Sequence, residues 1–222
     1  MDIHVNIHSM ETDKAAKSKY ESMKSLKNRQ KEMQLGKTLY ATERMTWRSW
    51  LAKNHDKENE IWLVYFRKSS RRRRISYNDA VEEALCYGWI DSNVKGIDDE
   101  CFAQRFSPRK PTSKLSQMNR ERIRQLIAKK KMAKAGLAAV AQVFDPAKEE
   151  RFIIPKDILD AIKKDKQVWR NFQRFPESYK RIRIAYIEHA RRRGVEPFQR
   201  RLQNFIRLTA KNERFGFVKE MY

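Results

Sequence analysis

The hydrophobic and polar positions along the chain fall into two periods. The run Ile61-Trp62-Leu63-Val64-Tyr65-Phe66 is continuous, β-branched and aromatic, and at strand length it predicts a strand buried on both faces. Leu39 and Tyr40 start a shorter strand. Thr42 is the expected cap of a helix over Glu43 to Asn54, where Met45, Trp47, Trp50 and Leu51 form an apolar stripe. Ser76 caps the next helix, with Asp79 three residues on, and Gly88 supplies a left-handed stop. Trp89-Ile90-Asp91 then opens a strand. Phe102 to Phe106 alternates as a half-exposed strand does, and the two pair across the acidic connection Asp98 to Glu100.

After Pro108-Arg109-Lys110-Pro111 the period becomes helical. Ser113 or Ser116 caps a helix to about Lys131, with Ile123, Leu126 and Ile127 inward and Arg120, Arg122, Arg124 and Lys129 mostly outward. A short helix spans Lys134 to Gln142. Four stripes at three-and-four spacing follow: Ile158, Leu159 and Ile162; Val168, Phe172 and Phe175; Tyr179, Ile182, Tyr186 and Ala190; Phe198, Leu202, Phe205 and Thr209. Pro176 and Pro197 stand where helices begin. The fold class is α+β, a small mixed sheet packed with helices and followed by a C-terminal helical module. The organisation predicted is a basic N-terminal arm, helical or disordered (1–36), an α/β domain (37–144), a linker (145–152) and the helical module (153–222).

Charge sharpens this outline. The formal net charge is +22, more than solubility asks for, and it favours an anionic partner. Residues 101–151 carry thirteen bases against four acids, and 152–222 eighteen against eight. Residues 37–100 are nearly balanced, at twelve against eleven. Cys86 and Cys101 have neither the spacing nor the histidine neighbours of a zinc site, and His4, His8, His55 and His189 are scattered. No metal and no cofactor is expected. The first ten residues show no basic region followed by an apolar run, and no stretch approaches the length of a membrane span. A cytoplasmic protein with reduced cysteines is the expectation.

The run Ile75-Ser76-Tyr77-Asn78-Asp79-Ala80-Val81-Glu82-Glu83-Ala84-Leu85-Cys86-Tyr87-Gly88-Trp89-Ile90-Asp91-Ser92 resembles the YdeI/OmpD-associated family, also called bacteriocin-protection proteins. The likeness continues through Gln104-Arg105-Phe106-Ser107-Pro108-Arg109-Lys110-Pro111, Gly136-Leu137-Ala138, Phe175-Pro176-Glu177-Ser178-Tyr179-Lys180-Arg181 and Arg200-Arg201-Leu202. It spans roughly Leu39 to Lys211. The resemblance implies an α/β N-terminal part, a helical C-terminal module and a role linked to bacteriocin tolerance and envelope stress. It transfers no reaction and no catalytic residue. The four arginines Arg71 to Arg74, Leu115 and the arm before Gly36 depart from the family pattern.

One constellation stands out on chemistry. Arg105, Arg109, Lys110 and Lys114 lead into a helix N-terminus, where backbone donors and guanidinium forks together suit phosphate or carboxylate. Arg109 and Lys110 are the first choices as ligand contacts. Trp89 and Asp91 complete the candidate set, Trp89 as a stacking surface and Asp91 as an anchor for an arginine or a weak candidate catalytic acid or base. The plainer alternative pairs Arg105 with Asp91 or Glu83, solvates Arg109, Lys110 and Lys114, and leaves Trp89 in the core. Cys86 is expected to be a packing thiol. Arg191 to Arg193 with Arg200 and Arg201 form a second basic surface, and Arg71 to Arg74 form either a solvated turn or a phosphate-contacting patch.

The leading reading is a non-enzymatic protein that binds a small anionic ligand or an acidic protein surface. One alternative is an enzyme acting on a small phosphorylated or carboxylated compound near Asp91 and Arg109. The other is a nonspecific nucleic-acid binder using the C-terminal half, whose affinity falls steeply with salt.

Overall fold

The computed structural model describes residues 35–145 and 152–216. The expected N-terminal arm before Leu35, and most of the expected linker, lie outside them. By packing, the described residues divide into two compact units. One runs up to Ala84 and adds Trp89–Pro108; the other joins Leu85–Gly88 to the residues from Arg109 onward.

The first unit is built on a four-stranded mixed sheet in the order β1-β2-β4-β3. Strands β1 (Thr38–Tyr40) and β2 (Ile61–Phe66) are parallel, with helix α1 (Arg44–Asn54) between them in sequence. Strands β3 (Trp89–Gly96) and β4 (Cys101–Pro108) are antiparallel neighbours, and β4 pairs antiparallel with β2. All six residues of β2 are buried, as the continuous apolar run predicts. Trp62, Val64 and Phe66 pack with Cys101 and Ala103 on one face. Alternation turns Ile61, Leu63 and Tyr65 to the other. The β3–β4 turn closes on Asp98, whose Oδ1 accepts from the Glu100 and Cys101 amides at 2.7 and 2.8 Å.

A ladder of indoles holds α1 in place. Trp47 is fully buried, donates its indole N–H to the Ala80 carbonyl at 3.0 Å, and stacks on Trp50 with centroids 5.3 Å apart. Trp50 in turn meets Trp89 edge-on at 5.7 Å. Helix α1 starts one residue later than expected, because Glu43 takes the extended cap position, and it does so without a side-chain cap bond. At α2 (Tyr77–Cys86) the predicted signature holds: Ser76 Oγ accepts the Asp79 amide at 3.0 Å and donates to the Asp79 carboxylate at 2.9 Å. Gly88 adopts φ +77°, the left-handed stop expected of it.

Charges missing from the sequence reading join α1 to α2. Arg44 reaches Asp79, Glu82 and Glu83, and Arg48 reaches the other oxygen of the buried Glu83. Burial opposes the Arg44 charge, but the bonds to Glu83 and Glu82 outweigh it, so its pKa rises above the ordinary value.

The second unit is helical: α3 (Gln117–Ala128), α4 (Lys134–Val140), α5 (Lys156–Lys163), α6 (Lys166–Arg174), α7 (Glu177–Ala190) and α8 (Val195–Ala210). Ser116 caps α3, accepting the Asn119 amide. The four predicted stripes become α5 to α8, and their inward residues form one core that includes Ile158, Ile162, Val168, Phe172, Tyr179 and Phe205. Met118 of α3 packs against that core. Arg122, expected outward, is only 3% exposed and donates to Asn119 Oδ1 at 3.0 Å.

Candidate functional site

The predicted constellation divides between the two units. In the first, Arg105 donates Nε to Glu60 Oε2 at 2.8 Å, and its Nη1 lies 3.4 Å from Ser92 Oγ. The partner is Glu60, not Asp91 or Glu83. Glu60 is held below the usual carboxylate range, chiefly by its bond to Arg105. Asp91 is half-buried, and its Oδ2 accepts from the Tyr77 hydroxyl at 3.0 Å and the Gln104 amide at 2.8 Å. Two neutral donors therefore stand where an arginine was expected. Tyr65 lies close enough for the Asp91 charge to act on it. Burial first, and Asp91 second, raise the Tyr65 hydroxyl far above its ordinary pKa, and that hydroxyl has no hydrogen-bond partner. Trp89 is 1% exposed and donates its indole N–H to the His55 carbonyl at 3.1 Å, which places it in the core.

In the second unit Arg109 follows directly on β4. Its amide donates to the Gly88 carbonyl at 2.9 Å, anchoring the chain as it leaves β4. Its side chain is 8% exposed, and Nε and Nη2 are sealed from solvent with no acceptor. Burial lowers its pKa, and the charge that adds to the effect is another cation, Arg120. Arg120 lies over the Phe144 ring, 5.9 Å from its centroid. Lys110 and Lys114 are exposed on the segment that follows.

The unpaired edge of Arg109 has a counterpart elsewhere in the unit. Arg181 of α7 uses Nε and Nη2 together to grip the two oxygens of Glu121 at 2.6 and 2.9 Å. That edge is the guanidinium face that matches carboxylate and phosphate geometry bidentately. Arg109 presents the same edge with no anion on it. A buried polar group without a partner costs on the order of 1–3 kcal/mol, and more when it is charged.

A second cluster of guanidinium groups, only partly legible in the sequence, lies between α7 and α8. Arg183, Tyr186, Arg200, Arg201, Asn204 and Phe205 border a cleft of about 440 Å³. Arg200 and Arg201 belong to the predicted basic surface, and Tyr186 lies on a predicted inward stripe. Arg191 of the same surface is taken up by Asp157 and Glu188 and stacks on Phe198 at 3.7 Å. Of the arginine run at 71–74, Arg72 lies over the Phe66 ring at 4.6 Å, and the Arg73 carbonyl accepts from the Tyr40 hydroxyl.

Among the described residues no three histidine, cysteine, aspartate or glutamate side chains are placed to hold a metal ion. Cys86 and Cys101 are buried and outside any disulfide. No helix among those residues is long and apolar enough to cross a membrane.

The architecture and the site define a two-unit α+β protein whose helical unit carries buried guanidinium groups, among them Arg109 and Arg183, with N–H groups that lack an acceptor. Residues 151–212 match the family described as Bacteriocin-protection, YdeI or OmpD-Associated, which bears out the resemblance over the C-terminal part of the chain. Residues 39–139 match a separate model, a Domain of unknown function (DUF8412). No curated protein and no solved structure matches the chain.

Proposed function

We propose that the protein is a non-enzymatic anion binder of the bacteriocin-protection, YdeI or OmpD-associated type, acting in the cytoplasm in tolerance of envelope stress. The observation that carries this reading is the guanidinium edge of Arg109, buried without an acceptor and with Arg120 as its charged neighbour. Such a group is costly in the ligand-free protein and becomes favourable once a phosphate or carboxylate accepts both N–H groups. Lys110 and Lys114 raise the local anion concentration beside it. Because the edge is enclosed, the anion reaches it with side-chain movement.

The test is thermal unfolding of the full chain with and without inorganic phosphate, repeated on Arg109→Met. At a hundredfold excess over its dissociation constant a ligand stabilises by about 2.7 kcal/mol. At roughly 2–4 °C per kcal/mol for a chain of this size, the melting point rises by about 5 °C or more. Arg109→Met keeps the volume and removes the unpaired charge, so it is expected to melt above the wild type without phosphate and to gain nothing from phosphate. Equal phosphate stabilisation of both proteins, or none of the wild type, removes Arg109 as the site.

A further inference from the structure

We propose that the cleft between α7 and α8 is a second binding site, for a small molecule that carries a carboxylate or phosphate on a flat aromatic body. The cleft volume of about 440 Å³ lies within the usual range for small-molecule sites, ~300–1,000 Å³. Arginine, tyrosine and asparagine border it together with the apolar Ile187, Phe205 and Phe215, and no carboxylate is among the lining residues. A cavity with this lining attracts one anionic group and gives the remainder of the ligand an apolar surface.

The anionic end is set by Arg183. It is 6% exposed, so its charge is almost fully withdrawn from water, and its Nε is buried without a hydrogen-bond partner. Its other contacts are neutral. Nη2 donates to the Phe215 carbonyl, and the guanidinium lies 4.2 Å from the centroid of the Phe215 ring and 5.4 and 5.9 Å from those of Tyr179 and Tyr186. Burial lowers its pKa in consequence, with Tyr179 acting in the opposite sense. The aromatic box holds the cation rigidly but supplies no counter-charge. Arg200, 76% exposed in its side chain, makes a long 3.8 Å pair with the exposed Glu196, which an incoming anion can replace.

The aromatic half of the ligand is set by Tyr186 and Arg201. Tyr186 is 47% exposed although it lies on the predicted inward stripe. Arg201 is stacked 3.7 Å from the centroid of its ring and is fixed there by donating Nη1 to the Tyr186 carbonyl at 2.6 Å. This pins a planar guanidinium and a phenol ring as neighbouring flat surfaces at the cleft, and both stack on π-systems. Asn204, which also lines the cleft, accepts from Arg207 on its side-chain oxygen at 2.9 Å.

The site is tested by NMR titration of the full chain with phenyl phosphate and benzoate, set against inorganic phosphate and cyclohexanecarboxylate. The aromatic probes are expected to shift resonances of Tyr186, Arg200 and Asn204 saturably. They should bind on the order of tenfold more tightly than their non-aromatic counterparts. Arg200→Ala, on an exposed position that does not endanger folding, weakens phenyl phosphate about tenfold by removing a charge-assisted contact. Affinity is read at the Tyr186 and Asn204 resonances, which belong to the cleft, so failure here is distinct from failure of the Arg109 site. A preference for phenyl phosphate or for benzoate upholds the proposal and names the anion. The proposal is overturned if cleft resonances stay still at millimolar probe, if inorganic phosphate shifts those same resonances at as low a concentration as phenyl phosphate, or if Arg200→Ala shifts them like the wild type.

Discussion

Gly136→Ala is expected to destabilise the protein by about 3 kcal/mol, against the helix propensity of the two residues. In an open helix the change gains about 1 kcal/mol, because glycine loses the most backbone freedom on folding. Gly136 is the third residue of α4, and an added methyl would lie 2.2 Å from the Cys86 carbonyl oxygen and 2.8 Å from that of Leu85. Both obstacles are backbone, so no rotamer change relieves them. The helix must move away, which also strains the Ala133 to Cys86 hydrogen bond of 3.0 Å. Overpacking of this kind costs about 1–3 kcal/mol and sometimes more. The lost hydrogen bond adds about 1 kcal/mol. At roughly 2–4 °C per kcal/mol the melting point falls by about 6 °C or more. Gly96→Ala is the control: nothing lies within 4 Å of its added methyl, and it is expected to melt near the wild type. A Gly136→Ala protein as stable as that control shows that the close approach does not hold in solution.

The elements were legible because each rests on local pattern. The six-residue apolar run can satisfy its burial only as an interior strand, and the four C-terminal stripes repeat at the helical period and become α5 to α8. Ser76 and Ser116 cap as their positions predict, since a cap needs only the residues of its own first turn. What the sequence did not disclose was the pairing of charges. Arg105 finds Glu60 forty-five positions away, and Arg181 finds Glu121 at a distance of sixty. Arg122 was expected outside because charged residues seldom go inward, yet it is buried. Tyr186 fits an inward stripe, yet it stands half in solvent with Arg201 stacked on its ring. Hydrophobic period locates surfaces in a sequence, whereas an ion pair is chosen by the fold.

The two family matches and the packing of the chain cut it at different places. One match ends at 139 and the other begins at 151, but the second compact unit starts at Arg109, apart from the Leu85–Gly88 turn. Helices α3 and α4 therefore lie in the sequence of the first match and in the packing of the second. Met118 joins the core of α5 to α8, and Glu121 of α3 is the acid on which Arg181 of α7 closes. The segment matched as Bacteriocin-protection, YdeI or OmpD-Associated is thus packed around a helix from outside its own match.

That junction gives the second large effect. Glu121 is 3% exposed and accepts from Arg181, Gln117 and Arg124. Burial raises its pKa, but the bonds to Arg181 and Gln117 and the charges of Arg181 and Arg124 outweigh burial, so it is held below the usual carboxylate value. Removing one member of a buried pair costs about 3–5 kcal/mol. Arg181 and Arg124 each keep about a quarter of their side chain in solvent, so the low end applies, and Glu121→Ala is expected to lose about 3 kcal/mol at pH 7. A carboxylate with a depressed folded pKa stabilises fully above its unfolded value, taken as 4.5, and loses that contribution as pH falls through the folded value. The gap between wild type and Glu121→Ala should hold from pH 8 to about pH 5 and narrow below about pH 4. Denaturant unfolding of both proteins at each pH measures it, and the difference cancels the titration of Glu60 and Asp157, which are also depressed. A gap under about 1 kcal/mol at pH 7, the level of a surface pair, or a gap that persists at pH 3, means that Glu121 is not the acid holding α3 against α7.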